Sequence, residues 1–166
     1  WDLTPYERAK ATSPEAAAIY DKNSGRAGTA PLARAAFSWY SPLSRHKGDA
    51  RLLRYFQNGL DFFTGCVRKD GLMGNFGLNG EGWAHGWDVE GLVYGLVWCG
   101  DALDPAVRRR ALERLRLSAS RFAVLGPSGS YGNQACVQIL GLYLYGCLLD
   151  LPILLVFSIL VIYMVL

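Results

Sequence analysis

Three stretches of this chain are apolar on nearly every side: "PLARAAFSWY" from Pro31, "WDVEGLVYGLVWCGDAL" from Trp87 and "NQACVQILGLYLYGCLLD" from Asn133. A helix with one polar face can lie on a surface, but a helix without one has to be covered by other helices. The three stretches begin about fifty residues apart, a period that signals a repeated helical hairpin. Each follows a glycine-rich break, "NSGRAGTA", "LNGEGWAHG" or "GPSGSYG". Amphipathic segments run between them. From Asp49 to about Lys69, Leu52, Leu53, Phe56, Leu60 and Phe63 recur at helical spacing. Asp104-Pro105 opens another helix, a capping carboxylate followed by proline in the first helical position. There Val107, Ala111, Leu112, Leu115, Ala119 and Phe122 form one stripe, while Arg108, Arg109, Arg114, Arg116 and Arg121 lie mostly on the other face. A further helix is predicted over 5–22, capped by Thr4, and no segment alternates as a strand does. The expectation is an all-α chain of antiparallel hairpins, with buried helices in an inner layer and amphipathic ones in an outer layer.

At 166 residues, with 51% hydrophobic and 19% charged residues, the chain has enough apolar material for a compact body. The net charge of +3 is mild and the basic residues are not gathered in a tract, which excludes nucleic acid as an expected partner. The arginine run reads as a solvated helix face. Cys66, Cys99, Cys136 and Cys147 show no CxxC spacing and no nearby Cys/His partner, so neither zinc nor any other metal or cofactor is expected. All four sit in apolar helical contexts and read as buried free thiols, with a disulfide left open. Because the chain starts at Trp1 and stops at Leu166 inside an apolar run, it reads as part of a longer protein.

The chemistry concentrates in "LNGEGWAHGWDVEG", residues 78–91. Trp83 and Trp87 offer flat apolar faces with a polar N–H, suited to stacking on a sugar ring. His85 between them can shuttle a proton or, when charged, neutralise a carboxylate; a backbone-bonded loop histidine is the bland alternative. Glu81, Asp88 and Glu90 could supply one of the two carboxyls that glycoside hydrolysis needs, with Asp61 or Asp70 less suited as the second. Asp88 and Glu90 read equally as acids favoured near a helix N-terminus. "SYGNQ" adds Tyr131, Asn133 and Gln134, with helix capping the competing role for Asn133.

The stretches "GDARLLRYFQNGLDFFTGCVRKDGLMGN", "GWDVEGLVYGLVWCGDAL" and "YGNQACVQILGLYLYGCLLD" resemble the repeat units of the (α/α) toroid superfamily. That superfamily includes six-hairpin glycoside hydrolases and the helical domains of heparinase- and chondroitinase-type polysaccharide lyases. The resemblance covers about residues 28–150 and implies an incomplete toroid. In such a fold the loops near Arg26, 78–91 and 127–134 would open on one rim. It implies a lyase-like β-elimination on a uronic-acid-containing poly- or oligosaccharide, with His85, Asn133 and Tyr131 as catalytic candidates. Trp83, Trp87, Glu81, Asp88, Glu90 and Gln134 would bind substrate. Lyase-like members use an asparagine near the start of an inner helix to neutralise the substrate carboxylate, which Asn133 matches in kind. Their catalytic Tyr and His come from later hairpins than this chain contains. A glycoside hydrolase or sugar epimerase on the same scaffold is the alternative, and a non-catalytic, membrane-tethered helical module is a third.

After Asp150, "LPILLVFSILVIYMVL" contains no charge. As a helix it would span about 24 Å, short of a hydrocarbon core of about 30 Å. The division expected is therefore 1–150 as toroid fragment and 151–166 as an apolar tail. That tail is a cut membrane span, a buried helix or a non-native continuation. A secreted, cell-envelope or membrane-associated location is favoured over the cytoplasm.

Overall fold

The computed structural model describes residues 29–67, 69, 71, 83–125 and 133–152. These residues are mostly helical and none forms a β-strand. In order they build α1 (Ala30–Tyr40), α2 (Ala50–Gly65), α3 (Trp83–Cys99), a 3-10 turn (Gly100–Ala102), α4 (Pro105–Leu125) and α5 (Asn133–Leu149). The all-α expectation therefore holds. The helix predicted over 5–22 lies outside the described residues, as does the tail beyond Pro152.

Local chemistry sets the ends of these helices. Pro31 stands in the first turn of α1, where its missing N–H costs nothing. Asp49 caps α2 by accepting a hydrogen bond from the Arg51 backbone N–H at 2.9 Å. Asp104 does the same for α4, accepting from Ala106 N–H at 2.7 Å and Val107 N–H at 3.2 Å. Beyond α5, Asp150 takes a left-handed conformation (φ 52°) and Leu151 N–H donates back to the Gly146 carbonyl at 3.0 Å. This is a helix stop of the kind that glycine, asparagine or aspartate allows.

Asp49 also yields a test. Its carboxylate takes a second, bidentate interaction from the Arg51 guanidinium, at 2.7 and 3.1 Å. The hydrogen bonds from Arg51 hold it at about 2, below the ordinary 3.8. A depressed carboxyl contributes its stabilisation above the unfolded-state value and loses it as pH falls through the folded one. The Asp49-dependent part of stability should thus vanish between about pH 4 and pH 2. An Asp49→Ala variant should show a smaller acid-dependent fall in urea midpoint across that window than the unaltered chain.

Contacts between helices fix their directions. Thr29 lies against Gly91, the Cys99 thiol against the Ala36 carbonyl at 3.7 Å, and Phe37 against Trp98, so α1 and α3 run parallel. Gly48 N–H donates to Trp39 O at 2.9 Å and turns α2 back along α1. Asp104 N–H donates to the Gln57 side-chain oxygen at 2.9 Å, and Arg110 pairs with Asp61 at 3.1 Å, so α4 runs parallel to α2. The Tyr145 hydroxyl meets Ser118 Oγ at 3.0 Å. If α5 ran parallel to α4, the link from Leu125 to Asn133 would have to cover about 30 Å. A fully stretched link of that length reaches only about 26–29 Å. Hence α5 is antiparallel to α4.

The result is two layers. α3 packs between α1 and α5, and all three run the same way; α2 packs on α1 and α4 and runs, with α4, the opposite way. Phe56, Leu60, Phe63, Leu92, Leu115 and Tyr145, all 0–1% exposed where the layers meet, form the shared core. Glycines allow the layers this close: a methyl group on Gly59 would overlap Leu32, and one on Gly95 would overlap the Phe56 ring.

Candidate functional site

The layer of α1, α3 and α5 covers α2 and α4 with one face, and no described helix packs on the other, the free face. On α3 the free face shows as Glu90, Tyr94 and Trp98, half-buried, and Val97, 65% exposed. The expectation that this helix is buried nearly all round is corrected here. Helical spacing carries the same face back through positions 87 and 83. Positions 85 and 88 fall instead in register with buried Val89, Leu92 and Gly95. On α5, half-buried Leu140 and exposed Tyr143 and Cys147 mark the free face, and position 133 lies in register with 140 and 147; position 134 lies in register with buried Gly141 and Tyr145.

Because α3 and α5 are parallel, their first residues, Trp83 and Asn133, stand at one end of the layer. The partly positive ends of both helices lie there too. Thr29 is level with Gly91, so α3 extends roughly two turns, about 12 Å, past the start of α1. Trp83, His85, Trp87 and Asp88 occupy those two turns, and Gln134 follows Asn133 in α5. Glu81 and Tyr131 lie outside the described residues, as do Arg26 and Asp70.

Among the site residues predicted from sequence, helical register therefore puts Trp83, Trp87, Glu90 and Asn133 on the free face. It separates them from His85, Asp88 and Gln134. Asp61 is remote: it lies in the second layer, paired with Arg110. His46 is exposed in the α1–α2 turn, where its Nε2 accepts from Arg45 Nε at 3.1 Å.

Sequence reasoning missed the aromatic group that continues this face. Tyr94 and Trp98 stack at 5.6 Å with their planes 14° apart, and Phe37 meets Trp98 edge-on at 5.2 Å. Tyr40 (50% exposed), on α1, and Tyr143 (44%), on α5, are also exposed aromatics of this layer. A signal was present, since aromatic residues at 83, 87, 94 and 98 follow one helical stripe.

The thiols divide by position. Burial pushes the Cys99 thiol up to about 12, so it is no nucleophile near neutral pH, and Cys66 is likewise buried, its thiol donating to the Phe62 carbonyl at 3.3 Å. Cys147 is exposed, against the expectation of burial. Its hydrogen bond with Tyr143 raises that phenol above its ordinary value. Cys136 lies outside the described side chains. Among the described residues, no three His, Cys, Asp or Glu side chains are grouped to hold a metal ion, and no helix is long and apolar enough to cross a membrane.

Comparison with protein-family models, curated proteins and solved structures finds no match to this chain.

Proposed function

We propose that the chain is part of an (α/α) toroid carbohydrate-active enzyme, lyase-like, that acts on a uronic-acid-containing glycan. One observation carries this reading: positions 83, 87, 90 and 133, distant in sequence, share one end and one face of the parallel layer. Exposed Phe37 and the half-buried, stacked Tyr94 and Trp98 extend that face and support it, because aromatic ring faces suit sugar rings.

In the elimination, Asn133 donates hydrogen bonds to the uronate carboxylate and so favours loss of the neighbouring ring proton. Tyr131 accepts that proton. The C–H electron pair becomes a carbon–carbon double bond, and the glycosidic C–O bond breaks. The departing oxygen takes a proton from the same or a second acid.

The complete enzyme, incubated with a uronate polymer, should raise the ultraviolet absorbance of the unsaturated product. New reducing ends without that absorbance would favour hydrolysis. Neither product, with glycan binding retained, would favour a binding module.

A further inference from the structure

At the opposite end of the molecule, where α3 runs out, a cavity of about 520 Å³ opens between the 3-10 turn and α4. Its floor is aliphatic, from Leu103, Pro105 and Leu112. Arg109, Glu113 and Arg116 stand along its wall, all exposed and none in an ion pair among the described residues. At the lip Arg108 is already engaged, by Asp101 at 3.2 Å. The neighbouring Arg110 is likewise engaged, by Asp61 at 3.1 Å. The two free guanidinium groups of the wall are therefore the ones that a ligand can take.

The geometry points to a second binding groove here, for an acidic polysaccharide whose charged groups fall on alternate sugars. Arg109 and Arg116 are two helical turns apart, about 10.5 Å along the axis, roughly the length of two linked pyranose rings. That separation is too large for one small anion and suits two carboxylate or sulfate groups on one chain. Between them Glu113 repels a third anion but accepts hydrogen bonds from hydroxyls. The order positive, negative, positive thus matches acid, hydroxyl, acid. Duplex DNA fits badly: one phosphate about every 3.4 Å of axis along each strand would force negative charge onto Glu113. The groove lies on the layer and at the end remote from Trp83 and Asn133, so it would hold a polymer independently of the elimination chemistry.

The test measures binding to the full chain of three probes: an alternating uronate–N-acetylhexosamine octasaccharide, a neutral N-acetylhexosamine oligomer of equal length, and a short DNA duplex. The acidic octasaccharide should bind, and Arg109→Gln/Arg116→Gln should weaken it tenfold or more with unchanged far-ultraviolet circular dichroism. The charge-matched control Lys47→Gln/Arg54→Gln should leave it within twofold. Glu113→Gln should weaken the glycan and strengthen DNA. Equal weakening by the control pair, no weakening by the arginine pair, or tighter binding of DNA than of the glycan would each overturn the groove. Loss of elimination activity with groove binding intact would instead count only against the proposed reaction.

Discussion

Phe56→Ala should remove about 3–5 kcal/mol of stability, the usual cost of emptying a buried aromatic site. Against a typical total of about 5–15 kcal/mol, that is enough to blur or abolish cooperative unfolding. The ring is 0% exposed and lies over Gly95, on the seam between the layers. The seam can be tested from its other side. Gly95→Ala drives a methyl group into the ring and should cost about 1–3 kcal/mol. In a Phe56→Leu background the smaller side chain yields, so the same substitution should cost markedly less. Urea unfolding of the four chains, followed by circular dichroism, gives the coupling directly. Strict additivity would mean that α2 and α3 do not touch at this point. Leu43→Ala, at a position 95% exposed, should change stability by no more than about 0.5 kcal/mol.

Much of this architecture was legible because burial leaves a periodic trace. Residues such as Phe56, Leu60 and Phe63 recur at helical spacing because one side of α2 faces core, and Asp104-Pro105 marks the start of α4 by backbone chemistry alone. The apolar helices α1, α3 and α5 read as buried because their hydrophobic residues surround the axis. What composition could not show is which of those residues are covered. Val97 and Leu96 are equally apolar neighbours, yet one is 65% exposed and the other 5%. That difference arises from which helices flank α3, a tertiary fact absent from its own sequence. For the same reason the stacked Tyr94 and Trp98 looked like core. The start of α3 was also set late, at Trp87 rather than Trp83, since glycine and tryptophan resemble a loop when their contacts are unknown. That shift matters for the site: it moves positions 83 and 87 from a loop into one helical register, which position 85 does not share.

The elimination reading makes its strongest demand on Asn133. It is the first residue of α5, where an acid or amide also stabilises the helix end, so loss of activity on Asn133→Ala would not by itself separate the two roles. Aspartate does. It is at least as favourable as asparagine at a helix N-terminus, so Asn133→Asp should leave the thermal midpoint unchanged or slightly raised. Against a uronate carboxylate it replaces an amide donor by a like charge. Both variants should therefore lower kcat/KM on a uronate polymer by about 10²–10³, the usual cost of losing a donor to developing negative charge. On the methyl-esterified polymer there is no carboxylate charge to repel, and the Asn133→Asp defect should shrink at least tenfold relative to its value on the free acid. The contrast between two substrates on one variant cannot come from a weakened helix, which would penalise both alike. Full activity of Asn133→Asp on the free acid would show that this residue only closes the end of α5, and the carboxylate would need another donor.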